Sequence, residues 1–164
     1  MKVSFVIRTL NEGKTLGEVL KRIFLLKGSF QKEVVIVDSC STDDTLKIAN
    51  SYNCKIITIP QNNWSWGRAL NVGIENSEGE YIVIISGHCF ITKKDFLKSA
   101  YLLLKDSYVA AVYGRQLPIE YVDPFEEFEL FNWYPDLPRY VMEGNTNKLI
   151  GISNACCVLK RSVW

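Results

Sequence analysis

Apolar residues in this chain fall into short β-branched runs, each closed by a polar break and followed by apolar residues at helical spacing. Val3-Ser-Phe-Val-Ile7 is the first run; a break at Asn11 follows, and Thr15 to Leu26 then carries a helical pattern. Glu33-Val-Val-Ile-Val37 predicts a second strand, apolar without alternation and so suited to burial on both faces, that ends at Asp38. Beyond it, Ser41-Thr-Asp-Asp44 offers hydroxyls and carboxylates suited to a helix N-terminus, and a helix is expected from about Thr42 to Tyr52. Lys55-Ile-Ile-Thr-Ile59 reads as a third strand, stopped by Pro60, and Trp66 to Glu75 places Leu70 and Ile74 at helical spacing. A fourth strand, Tyr81-Ile-Val-Ile-Ile85, ends at Ser86-Gly87-His88, followed by a helix over Leu97 to Leu104 and a fifth strand, Val109-Ala-Ala-Val-Tyr113. Strands alternating with helices predict an α/β fold, a mostly parallel, Rossmann-like sheet with helices on both faces.

The pattern lapses between Pro118 and Asn147, where aromatic and acidic residues are interrupted by Pro124, Pro135 and Pro138. This stretch predicts a mobile or ligand-facing excursion rather than a layer of the sheet. Regular structure is expected again at Ala155-Cys-Cys-Val-Leu159.

At 164 residues the chain has the size of one domain, able to bury roughly 70% of its unfolded surface. Apolar residues make up 48% and charged residues 23%, which excludes disordered, collagen-like and coiled-coil classes. Nineteen basic residues against eighteen acidic ones leave a charge of +1, so no overall field draws nucleic acid. The five cysteines are odd in number and follow no CxxC spacing, as expected of reduced thiols in the cytoplasm. Met1-Lys2 leads straight into the first strand with no signal-peptide pattern, and no run of about 18 apolar residues could span a bilayer. Any contact with the inner face of a membrane is therefore expected to be peripheral or through a partner.

In a parallel α/β sheet, ligands bind beyond the carboxyl ends of the strands. The polar strand ends Thr9-Leu10-Asn11-Glu12, Asp38-Ser39 and Ser86-Gly87-His88 are therefore the candidate site. A lone aspartate after a strand also serves as a turn or cap, so no single end decides its own role.

Four segments in order carry a resemblance: Val3-Ser-Phe-Val-Ile-Arg-Thr-Leu-Asn-Glu12, Val35-Ile-Val-Asp-Ser-Cys-Ser-Thr-Asp-Asp-Thr45, Trp66-Gly-Arg-Ala-Leu-Asn-Val-Gly73 and Gly79-Glu-Tyr-Ile-Val83. Together they make the chain resemble glycosyltransferase family 2, over nearly its whole length. The resemblance implies a GT-A fold and a single domain over residues 1–164. It also implies transfer of a sugar from a nucleoside diphosphate to a glycan or lipid-linked acceptor hydroxyl, with inversion, in cell-surface polysaccharide synthesis. The Asp38-Ser39-Cys40-Ser41-Thr42-Asp43 stretch resembles rhamnosyltransferase-like members. Thr9, Leu10, Asn11, Glu12, Asp38 and Ser39 then fall at the nucleoside side of the donor site. Gly67, Arg68 and Asn71 open a helix where an arginine fork could meet a diphosphate. The family often has an aromatic where Leu10 stands and a second aspartate where Ser39 stands, which leaves the base unassigned.

The sharpest departure is at Ser86-Gly87-His88, where similar enzymes usually carry Asp-x-Asp for a divalent metal. A serine and the chain's one histidine offer less negative charge, so Mg²⁺ should bind weakly while an imidazole could still serve Mn²⁺. Three readings stay open: His88 as a metal ligand, His88 as a direct hydrogen-bond partner of the diphosphate, or a site without transfer activity, a binding module only. A zinc site at Cys89, Cys156 and Cys157 is disfavoured, because adjacent cysteines on a strand point to opposite faces.

Inverting transfer in the family uses a carboxylate base. By resemblance it follows the turn matching Ser153 to Trp164, in an acidic pair that would lie beyond Trp164, so truncation, a split gene product or a partner chain is expected. Asp123, Glu126, Glu127, Glu129 and Asp136 are not read as substitutes; interleaved with Phe125, Phe128 and Phe131, they suit an amphipathic surface helix.

Overall fold

The computed structural model describes residues 1–118, 123–133 and 153–164. They form two compact units, Met1–Val112 with Ser153–Trp164, and Tyr113–Ile152. In the first, strands β1 (Lys2–Thr9), β2 (Gln31–Asp38), β3 (Lys55–Thr58) and β4 (Tyr81–Ser86) alternate with helices α1 (Leu16–Phe24), α2 (Thr45–Ser51), α3 (Trp66–Glu75) and α4 (Phe96–Leu104). β5 (Ala111–Tyr113) and, beyond helix α5 (Pro124–Trp133), β6 (Cys156–Lys160) complete a six-stranded sheet in the order β3-β2-β1-β4-β6-β5. β1 pairs in parallel with both β2 and β4, and β2 with β3, whereas β6 runs antiparallel to β4.

The unbroken apolar runs of β1, β2 and β4 follow from burial on both faces. One face carries Val3, Phe5, Ile7, Val34, Ile36, Val83 and Ile85, packed with Leu16, Val19, Leu20 and Ile23 of α1 and Leu97, Ala100 and Leu104 of α4. On the other, α3 lies against β1 and β2 so closely that a Cβ on Gly73 would stand 2.9 Å from Val37 Cγ2. That helix starts where Ser65 accepts a hydrogen bond from the Arg68 N–H at 3.2 Å, a side-chain N-cap.

Several boundaries differ from the sequence expectation. α2 begins at Thr45 rather than near Thr42, because Ser41, Thr42 and Asp43 spend their polar groups on Asn11 and Gly13 of the β1–α1 loop and on Thr45. β5 is shortened to three residues at its N-terminal side. In the second unit, part of the expected excursion is helical: α5 opens on Pro124, whose fixed φ suits a first turn, and Asp123 Oδ1 accepts from the Phe125 N–H at 2.8 Å. Phe125, Phe128 and Phe131 on it are exposed, with Arg115 over the Phe131 ring at 5.7 Å. Residues 119–122 and 134–147 of that stretch, with Asp136, lie outside the described residues.

The strand order fixes where a ligand can enter. From β1 the chain builds outward through β2 and β3, then returns to the opposite side of β1 to lay down β4. The carboxyl ends of β1, β2 and β4 therefore lie side by side where the strand order reverses, the edge at which α/β sheets hold their ligands.

Candidate functional site

Thr9 ends β1 directly beside Asp38, which ends β2. Both are buried, and Thr9 Oγ1 donates to Asp38 Oδ1 at 2.8 Å. The same carboxylate accepts from Ser41, through its N–H at 2.7 Å on Oδ2 and its hydroxyl on Oδ1. Asp38 thus spends most of its acceptors on its own loop, and one lone pair on Oδ2 remains. Ser39, also buried, donates its N–H to Thr9 O at 2.9 Å and continues the ladder past the strand end.

A second layer of contacts sews the β1–α1 loop to the β2–α2 loop. Asn11 holds a left-handed φ of 55°, tolerated by asparagine, and its Oδ1 accepts from the Thr42 N–H at 2.8 Å while its N–H donates to Ser41 Oγ at 2.8 Å. The Gly13 N–H donates to Asp43 Oδ2 at 2.8 Å, and the Glu12 N–H to Thr45 Oγ1 at 2.8 Å. Hydrogen bonding from the Thr45 hydroxyl, with smaller contributions from backbone N–H groups, holds the Asp43 carboxyl below its ordinary value. Leu10 projects from this layer with 46% exposure.

On the other side of β1, Glu12 meets the loop after β4. Its Oε1 lies 2.8 Å from His88 Nδ1 and its Oε2 accepts from Thr15 Oγ1 at 3.0 Å. Thr15 also donates to Gly87 O at 2.9 Å, as the second branch of a shared hydroxyl. Gly87 is needed there: a Cβ at this position would come within 2.9 Å of Glu12 Cγ. Since an ionised carboxylate can only accept, Nδ1 of His88 carries the proton and Nε2 faces outward on a side chain 62% exposed.

The structure therefore gathers Thr9, Asn11, Glu12, Asp38, Ser39, Gly87 and His88 into one bonded cluster, with Ser86 beneath it at the end of β4. Gly67, Arg68 and Asn71 are exposed on the opening turns of α3, and among the described residues no hydrogen bond joins them to that cluster. Sequence reasoning passed over Thr15, Ser41 and Asp43, which do much of the bonding.

Divalent metal does not fit the donors described. Among the described residues no three His, Cys, Asp or Glu side chains converge to hold an ion. Nδ1 of His88 is already engaged by Glu12, which leaves the imidazole one free nitrogen where Mg²⁺ favours carboxylate and phosphate oxygens. Among the described residues Cys89, Cys156 and Cys157 form no such group either, and burial pushes the Cys156 and Cys157 thiols up to about 12.

The sequence model described as Glycosyl transferase family 2 matches residues 4–164. The chain belongs to this family. Among its curated relatives, O-antigen chain rhamnosyltransferase WbaN of Salmonella anatum is 28% identical over 167 residues, spanning 98% of this chain and 53% of that protein. Poly(ribitol-phosphate) beta-N-acetylglucosaminyltransferase TarS of Staphylococcus aureus is 35% identical over 107 residues, 61% of this chain and 18% of TarS. The chain thus spans about half the length of the first relative and less of the second.

Solved structures share the architecture. The crystal structure of S. aureus TarS in complex with UDP-GlcNAc superposes with a TM-score of 0.59 at 30% identity, over 73% of this chain and 37% of that one. Mannosyltransferase PcManGT from Pyrobaculum calidifontis, in complex with GDP-Man and Mn²⁺, gives a TM-score of 0.66 at 20% identity, over 98% and 45% of the two chains. At that identity the likeness is one of fold, and the fold is the GT-A type.

Proposed function

We propose that this family 2 chain is the donor-binding part of a glycosyltransferase. In this reading it moves a sugar from a nucleoside diphosphate to a hydroxyl of a glycan or lipid-linked acceptor, with inversion, during cell-surface polysaccharide synthesis. The observation that carries the reading is the convergence of Thr9, Glu12, Asp38 and His88 at the reversal of strand order, in a chain whose relatives are named for O-antigen and poly(ribitol-phosphate) glycosyl transfer. The nucleoside is assigned to the ends of β1 and β2, with Leu10 as an apolar surface for the base. The remaining acceptor of Asp38, with Asn11 and Ser39 beside it, is assigned to its polar edges. The diphosphate is assigned to the side of the sheet edge that carries Ser86 and His88, with Gly67, Arg68 and Asn71 at the start of α3 as its further partners.

In this reaction the acceptor oxygen forms a bond to the anomeric carbon as the bond from that carbon to the diphosphate oxygen breaks. The electron pair leaves on the diphosphate, and the acceptor proton passes to a base. His88, when protonated beside Glu12, presents Nε2–H to the departing charge. Glu12 itself is held by His88 and Thr15, and none of the described acidic side chains is assigned as the base. The compartment is assigned as the cytoplasm, with a peripheral contact at the membrane. No described helix is long and apolar enough to cross a membrane.

A thermal-shift panel of UDP-, GDP- and dTDP-sugars tests the reading, with chromatography for release of the nucleoside diphosphate. At least one donor should stabilise the fold. Stabilisation by none would refute the nucleotide-sugar reading, and stabilisation without release on added acceptor glycan would favour a binding module that does not itself transfer.

A further inference from the structure

Arg8 is the penultimate residue of β1 and pairs in register with Val37 on one side and Ser86 on the other, so it sits one residue before the carboxyl edge of the sheet. Its guanidinium carbon stands 4.7 Å from the centroid of the Trp66 ring, an indole that is itself 67% exposed and roofs the cation from the N-terminus of α3. Nε of Arg8 is buried and has no hydrogen-bond partner. The contrast with other arginines of the same unit is plain. Arg22 donates to Glu18 at 2.7 Å, and Arg161 donates to Gly79 O, Ile74 O and Ser77 Oγ at 2.6 to 3.0 Å.

A guanidinium stripped of water on one face and left without an acceptor costs free energy, and native folds seldom leave such a group unpaired without a use for it. No described carboxylate forms an ion pair with Arg8. The neighbour that couples to it is the Cys89 thiol, which burial keeps protonated and therefore uncharged. The cation is thus uncompensated at the point where the fold places a ligand. It also repels any divalent ion that approached Ser86, and attracts an anion in the plane of its fork.

We infer that Arg8, held against the Trp66 ring, binds the diphosphate of the donor directly, so that a fixed guanidinium takes the charge-neutralising place of a metal ion. The inference rests on the nucleotide-sugar reading above. It differs from a packing role, in which the stem of Arg8 would fill space under Trp66 and the charge would be dispensable.

The test is calorimetric binding of UDP, GDP and dTDP, and of the matching nucleosides, to the full chain with EDTA or with Mn²⁺. Arg8→Met keeps the unbranched stem and removes the charge; Arg8→Lys keeps the charge and removes the planar fork. The wild type should bind a nucleoside diphosphate in EDTA. Arg8→Met should weaken it by about tenfold or more, as loss of a charge-assisted contact implies, while leaving the nucleoside unchanged. Inorganic pyrophosphate should compete for the wild type and not for Arg8→Met. If Arg8→Met does not fold, Arg8→Lys carries the test, with a several-fold loss for the diphosphate alone expected.

Equal binding of the diphosphate by the folded variant overturns the role of Arg8 and leaves the nucleotide-sugar reading standing. An equal loss for the nucleoside, or wild-type binding that requires Mn²⁺, overturns it too. Absence of nucleoside diphosphate binding by the wild type in both conditions overturns both.

Discussion

Replacing Asp38 with alanine removes the acceptor around which the ends of β1 and β2 are tied. The carboxylate is fully buried and takes a hydroxyl from Thr9, a backbone N–H from Ser41 and the Ser41 hydroxyl. Three bonds to a charged acceptor at about 1.5 to 3 kcal/mol each set an upper limit that is not reached, because removing a buried anion also returns several kcal/mol of desolvation. Ser41 is only half-buried and can recover water, so the uncompensated loss centres on the buried Thr9 hydroxyl and the loosened loop. A stranded buried donor costs about 1 to 3 kcal/mol and each loop bond about 1 kcal/mol, which gives a net loss of about 3 kcal/mol. Thr9→Val, which leaves Asp38 its two Ser41 bonds, should cost about 1 to 2 kcal/mol, and the two changes should be less than additive because they share one bond.

Urea unfolding followed by circular dichroism reads this directly. With a slope of about 2 kcal/mol/M for a chain of this size, Asp38→Ala should lower the midpoint by about 1.5 M at constant slope. A shift below about 0.3 M, or full additivity with Thr9→Val, would refute the view that this carboxylate spends its acceptors on the fold.

Gly73→Ala should destabilise by about 1 to 3 kcal/mol in the same assay, since the added methyl meets Val6 and Val37 under α3; a neutral result would mean that α3 can lift from the sheet freely. Asp43 has its carboxyl held below the ordinary value by Thr45, so its contribution is present above the unfolded value near 3.8 and is lost as pH falls through the folded one. The stability gap between wild type and Asp43→Asn should therefore be widest near neutrality and close on acidification, and a gap independent of pH would contradict the assignment. Among the cysteines, Cys40 is exposed, whereas burial pushes Cys54 up to about 11 and Cys156 and Cys157 up to about 12. A thiol reagent on the native protein should modify Cys40 first, and rapid reaction of Cys156 or Cys157 would show that β6 is not packed as described.

Legibility from sequence was uneven, and it followed the range of the interaction concerned. The runs at Val3, Glu33 and Tyr81 announce strands because burial on both faces of a parallel sheet demands apolar residues at every position. Thr9, Glu12, Asp38 and His88 could be picked out because polar groups directly after such runs fall at the carboxyl edge of the sheet. The start of α2 was misplaced by three residues, because Ser41, Thr42 and Asp43 bond to Asn11, Gly13, Asp38 and Thr45 instead of opening a helix turn. That competition depends on a loop some 30 residues away.

What the sequence determined by itself is the order of elements, the parallel α/β class and membership of the glycosyl transfer family, all of which are written in local periodicity and in short motifs. Only the tertiary structure decided that β6 enters the sheet antiparallel beside β4, that Asp38 turns inward to Thr9 and Ser41, and that Glu12 reaches His88, 76 residues on. It also decided that Arg8 lies under Trp66 with its Nε unpaired. Periodicity reports which face of an element is buried, whereas the pairing of polar groups depends on strand register and on the packing of distant loops, which no local pattern encodes.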